Sequence, residues 1–128
     1  MYRDGLELWA SLAWLAENTS RIEFGPLVSP VSFRHPVITA WQASAVDNLA
    51  EGRLRLGLGA GWNEWEHETF GFEVLDTDRR FVRFEEGLEV VTRLLRTMSL
   101  CLSTASSTDF ATPCSCRARR GREGRQWL

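Results

Sequence analysis

Lysine is missing altogether: all fifteen basic residues are arginine, a bias that points to GC-rich codons rather than to a binding surface. Cysteine is missing from the first hundred residues. Its three copies, Cys101, Cys114 and Cys116, follow in a spacing that is neither a zinc nor a redox signature, with no histidine beside them. Long apolar runs are missing as well, which excludes a bilayer-spanning helix, and no basic start followed by an apolar stretch marks a signal peptide. The expectation is a cytoplasmic protein with no membrane partner, in which the sequon Asn18-Thr19-Ser20 carries no meaning.

What is present suits one soluble domain, 128 residues with 44% apolar side chains. Charge is unevenly divided. Residues 1–98 carry 10 Arg against 15 Asp and Glu, a net of −5, while residues 99–128 carry 5 Arg against Asp109 and Glu123, a net of +3. An acidic body with a basic tail is the pattern of a nucleic-acid or membrane arm. The run RARRGREGR, however, lacks the interleaved aromatics of a single-strand binder, so no nucleic-acid partner is expected.

Apolar periodicity marks three helices alternating with two strands. Over residues 6–18, Leu8, Leu12, Leu15 and Ala16 recur at helical spacing, and the tryptophans Trp9 and Trp14 read as core. Residues 21–31 follow, where Ile22, Phe24, Leu27 and Val28 suit a short buried strand that bends near Pro26, a residue unable to donate to a ladder. A second helix is predicted over 34–52. Pro36 fits its first position, Val37, Ala40, Trp41, Ser44, Ala45 and Leu49 follow in period, and Gly52 fits the C-terminal cap. Leu54, Leu56 and Leu58 then form a second strand with a glycine-rich exit, and NEWEHETFGFE reads as a loop. Asp78 is a plausible N-cap for the last helix, striped by Phe81, Phe84, Leu88, Val91 and Leu95. Such alternation argues for a parallel sheet covered by helices. After Thr97 the periodicity stops.

Three blocks carry a family resemblance: FGPLVSPVSFRHP, the helix ending in DNLAEGR, and LGLGAGWNEWEHETFG, with DRRFVRFEEGLEVVTRLLRT closing the series. Together they resemble the luciferase-like monooxygenases over residues 6–97. The resemblance implies an α/β fold, a partial TIM (β/α)₈ barrel of two central βα units plus a preceding helix, and the loss of periodicity after Thr97 adds the expectation of an unstructured C-terminal tail. A full barrel takes about 250 residues, so residues 1–97 are expected to be a barrel fragment and residues 98–128 a separate tail. Read in the alternate frame, GC-rich codons for that tail permit a family-like continuation, a short strand pair and a proline-rich approach to the next strand. A single-base deletion, or a sequencing error, near the Thr97–Met98 junction is therefore expected.

The resemblance further implies FMN or a 5-deazaflavin coenzyme, the deazaflavin preferred, and a small-molecule substrate. In a TIM barrel the reactive groups gather at the C-terminal ends of the strands. The resemblance places Val28 and Ser29 at the first such end, under the ring system. At the second end Gly59 and Gly61 remove side chains so that a flat ring can approach the backbone, and Asn63 can hydrogen-bond the ring edge. The competing reading of these glycines is a tight strand-to-loop turn. Gly57, Gly59 and Gly61 do not match a dinucleotide fingerprint, because the third glycine comes one residue early. His35, Trp62 and His67 are candidates for the substrate pocket. Against this stand a helix-start role for His35, a barrel-sealing role for Trp62 and a loop position for His67. Glu64 and His67 have metal-site spacing, but no second copy completes such a site, so no metal is expected. No catalytic residue is assigned, since in such enzymes the cofactor carries the chemistry. By itself the chain is expected to be inactive. The alternative is an interaction module that dimerises or binds a partner through uncovered apolar surfaces.

Overall fold

The computed structural model describes the backbone of residues 6–104 and the side chains of residues 6–98. The first helix, α1, spans Leu8–Asn18 and starts where the Glu7 carboxylate accepts from the Ala10 N–H at 2.8 Å, satisfying one of the donors a helix start leaves open. It buries Trp9, Leu12 and Ala16. Trp14, expected in the core, is instead largely exposed, because five residues beyond Trp9 the helix has turned it to the far side.

The second helix, α2, spans Pro36–Leu49 and begins as expected, with Pro36 in the first turn and His35 as the cap, its Nδ1 accepting from the Val37 N–H at 3.3 Å. Its buried side is made of small side chains, Thr39, Ala40, Ala43, Ser44 and Val46. Val37, Trp41 and Leu49 face outward. The cap falls at Ala50 rather than Gly52. Gly52 still supplies the left-handed turn, with φ 85°, and its N–H donates to the Asp47 carbonyl at 2.9 Å.

The strands are much shorter than the apolar runs suggest. The strands β1, Ser29–Pro30, and β2, Leu58–Gly59, pair in parallel, with Ser29 opposite Leu58 and Pro30 opposite Gly59. Upstream, a single parallel bridge joins Phe24 to Leu54. Between these two points the chain leaves the ladder through Gly25–Val28, and the Leu27–Val28 peptide is cis. Ile22, Leu27 and Val28, expected to be buried, are exposed, Leu27 by 98%. Among the described residues no second layer closes over them, and apolar type buries a side chain only where another element packs on it.

The loop expected around NEWEHETFGFE contains a helix, α3, Glu64–Phe70. The Asn63 side chain caps it, and Gly71, at φ 73°, ends it with its N–H on the Glu68 carbonyl. An Asn-x-x-Glu start and a glycine stop are a legible helix signal, hidden here because the segment is too short to show a period. The last helix, α4, spans Thr77–Thr104. Its cap is Asp76, whose Oδ1 accepts from the Arg79 N–H at 3.0 Å. Asp78, expected to cap, lies inside the first turn. The helix also continues past Thr97, since adding a residue to a formed helix costs far less than starting one. Residues 105–128, the rest of the expected unstructured tail, lie outside the described residues.

One core joins these pieces. Trp9 and Leu12 of α1, Ala40, Ala43 and Val46 of α2, and Val91 and Leu95 of α4 close over Leu54, with Phe24, Leu56 and Leu58 packed against them. The result is a mixed α/β unit of two parallel strands and four helices. Arg53 ties α1 to the strand layer. Its guanidinium donates to the carbonyls of Ala16 at 3.1 Å, Thr19 at 2.8 Å and Ile22 at 3.2 Å, and to Thr19 Oγ1 at 2.9 Å. No helix among the described residues is long and apolar enough to cross a membrane.

Candidate functional site

Both strands run in the same direction and end side by side, so the segments that leave them, Val31–Phe33 after β1 and Ala60–Asn63 after β2, emerge together. Ladder partners share a face of the sheet while neighbours in sequence alternate. Ser29 therefore lies on the side of Leu58, which packs on the helices. It is only 1% exposed, and its Oγ is buried without a hydrogen-bond partner among the described residues. Val28 is on the opposite side, 42% exposed. Val28, Ser29, Gly59, Gly61 and Asn63 thus meet in one region but not on one surface.

The glycines are shaped by the chain itself. A β-carbon on Gly59 would stand 2.4 Å from Val28 Cγ2, and one on Gly57 would stand 2.4 Å from the Pro26 carbonyl oxygen. The missing side chains let β1 and its approach lie against β2. At Gly61 the backbone is left-handed, φ 77°, and an added β-carbon would fall 2.7 Å from Ser32 Oγ and 3.1 Å from His67 Cε1.

His67 is buried, at 4% exposure, rather than lying in an open loop. Its Nδ1 sits 2.7 Å from the Asn63 carbonyl oxygen and its Nε2 2.8 Å from Ser32 Oγ. A carbonyl can only accept, so Nδ1 carries the proton, and in the neutral ring Nε2 accepts from the Ser32 hydroxyl. The Phe33 ring packs between His67, at 4.9 Å, and Phe72, at 4.7 Å. Arg80 Nη1 donates to the Gly61 carbonyl at 3.2 Å. Nothing in the sequence spacing singles out Ser32 or Arg80, since Ser32 stands 35 residues from His67 and Arg80 stands 19 from Gly61.

The remaining candidates lie further out. His35 is exposed and occupied in capping α2. Trp62 is 81% exposed, and Trp65 is half-exposed. The Asn63 amide oxygen accepts from the Glu66 N–H at 3.4 Å. Against a flat ring cofactor, the open side of the strand pair fits in shape and polarity. Val28, 42% exposed, offers apolar surface over Gly59. Ser29 Oγ faces the other way and does not belong to that surface.

Comparison with known proteins places these strand ends in context. The model of the family "luciferase-like monooxygenase" matches residues 1–113. The chain is 38% identical over 84 residues to a 4-hydroxyprotoasukamycin monooxygenase of Streptomyces nodosus subsp. asukaensis, covering 66% of this chain and 22% of that protein. It is 33% identical over 90 residues to an F420-dependent glucose-6-phosphate dehydrogenase of Amycolatopsis mediterranei, covering 67% and 27% respectively. The crystal structure of monooxygenase RslO1 from Streptomyces bottropensis superposes with a TM-score of 0.59 at 30% identity, over 66% of this chain and 25% of that one. The chain therefore spans about a quarter of the length of the relatives it matches.

Proposed function

Because this chain belongs to the luciferase-like monooxygenase family, we propose that it forms two βα units of a flavin- or deazaflavin-dependent oxidoreductase barrel and contributes one wall of its cofactor site. The observation that carries this reading is the open side of the paired strand ends, where half-exposed Val28 lies over Gly59 and presents an apolar surface. In open and closed α/β sheets, ligands bind at the carboxyl ends of parallel strands. When bound, the ring would carry hydride or electrons, and a flavin would also activate oxygen. The chain's own residues would do simpler work. Val28 would exclude water from one face of the ring, Gly59 would let Val28 settle against the strand pair so that the ring meets a level surface, and the Asn63 amide would meet its polar edge. His35 and Trp62 would border the substrate side.

The deazaflavin is the preferred coenzyme, in keeping with the F420-dependent dehydrogenases among the similar proteins. Alone, the chain is inactive in this reading, because a wall is not an enclosure. Titrating FMN or the deazaflavin into the isotopically labelled chain tests it. Weak, saturable amide shifts confined to residues 27–32 and 57–63 are expected, whereas shifts scattered over the helices, or none at millimolar ligand, would sink the idea.

The uncovered apolar side chains Leu27, Trp14, Trp41 and Trp62 favour a second reading, a module that dimerises or binds a partner. Sedimentation separates the two: a discrete dimer supports the module, and polydisperse aggregate supports the barrel fragment.

A further inference from the structure

We propose that Ser32, His67 and Arg80 form a lock that positions the backbone leaving β2, and that His67 is a positioning residue rather than a substrate contact. The functional consequence rests on the cofactor reading above, but the lock itself does not. Gly61 is the point held. Its left-handed backbone lies against Ser32 Oγ and the His67 ring, so closely that a β-carbon would collide with Ser32 Oγ at 2.7 Å and press on the His67 ring at 3.1 Å, and its carbonyl accepts from Arg80. The turn after β1, α3 and α4 thus converge on one glycine at the exit of β2, the stretch that carries Ala60, Trp62 and Asn63.

Both ring nitrogens of His67 are used inside the chain, which leaves none to meet a substrate. The hydrogen bond to Ser32 fixes the rotation of the imidazole about its own axis, and the ring wall then sets where Gly61 can lie. Phe33, next to Ser32, packs on the same ring. The turn is therefore fastened twice, once by an apolar contact and once by a polar one. Only the polar contact is directional, so only it can select one placement of the strand exit. Removing the Ser32 hydroxyl leaves the buried Nε2 acceptor unsatisfied.

Nitrogen-15 NMR on the full chain tests the lock. The expected spectrum has a proton on His67 Nδ1, the nitrogen that donates to the Asn63 carbonyl. In Ser32→Ala the Nε2 signal moves, and the backbone order parameters of residues 60–62 fall from about 0.85 towards about 0.6, while α1 and α2 keep theirs. Ser32→Thr, which keeps the hydroxyl, restores order. Phe33→Leu, a loss of packing alone, lowers the melting temperature without selective loosening at residues 60–62. A His67 ring without a proton on Nδ1, which could not donate to the Asn63 carbonyl, overturns the proposal. So does Ser32→Ala with residues 60–62 unchanged, or Phe33→Leu loosening them equally. An intact lock with no ligand-dependent shift at residues 27–32 and 57–63 upholds the lock and removes only the cofactor reading.

Discussion

The side chain of Val28 fills the space a β-carbon on Gly59 would need, the two atoms falling 2.4 Å apart. The contact brings β1 and β2 together at their ends, and it makes Gly59 a packing residue whatever else it does. Gly59→Ala is expected to destabilise the chain by about 1–3 kcal/mol, the usual cost of overpacking, because a β-branched side chain has few rotamers into which to retreat. Val28→Ala in the same chain should recover most of the loss. Urea unfolding of the two single variants and the double variant checks this, and simple additivity would refute it.

Gly25 and Gly71 should behave as opposites. A β-carbon on Gly25 would stand 1.6 Å from the Arg55 carbonyl oxygen, a backbone atom held by the Phe24–Leu54 bridge. At Gly71 it would meet nothing within 4 Å, and only the left-handed φ of 73° resists it. Gly25→Ala is expected to cost more than about 4 kcal/mol, in the range reserved for severe lesions, and Gly71→Ala only about 1 kcal/mol. Comparable midpoints for the two variants in denaturant would contradict the local geometry.

Arg53 gathers four acceptors at the C-terminal end of α1. Arg53→Ala is expected to lower stability by about 2–3 kcal/mol, through carbonyls and a hydroxyl left without their donor. Arg53→Lys should recover little, since an ammonium point charge cannot span the same fork. Circular dichroism melts of both variants decide the matter; full rescue by lysine would mean that charge, not geometry, is what counts.

Exposed apolar side chains should govern the behaviour of the chain in solution. Leu27→Asp combined with Trp62→Ser is expected to raise solubility and narrow the sedimentation profile with little change in melting temperature, because neither side chain is in the core. Loss of the folded state in this variant would show that these residues pack more than their exposure implies.

The gene offers an independent check. Resequencing across the codons for Thr97 and Met98 is expected to show family-like sequence resuming in the alternate frame. An early stop in that frame, with the present frame upheld, would restore the arginine-rich segment as a genuine part of the protein.

Much of this protein is determined by the sequence alone, where the cause is local. Pro36 after His35 starts α2 because proline lacks the N–H that a helix start cannot use. Leu54, Leu56 and Leu58 alternate with residues of another face, so their burial is legible before any partner is known. The motif blocks placed the chain in its family. What only the tertiary structure decided is which apolar residues find cover and which polar ones find each other. Leu27 and Trp14 look like core by type, but burial depends on what lies opposite, and among the described residues nothing covers them. His67 looks like a loop histidine until a serine 35 residues away meets its Nε2. Gly59 looks like a gap for a ligand until Val28 fills it. A chain's own periodicity reports the faces it presents, whereas contacts between distant segments exist only once those faces have been folded together.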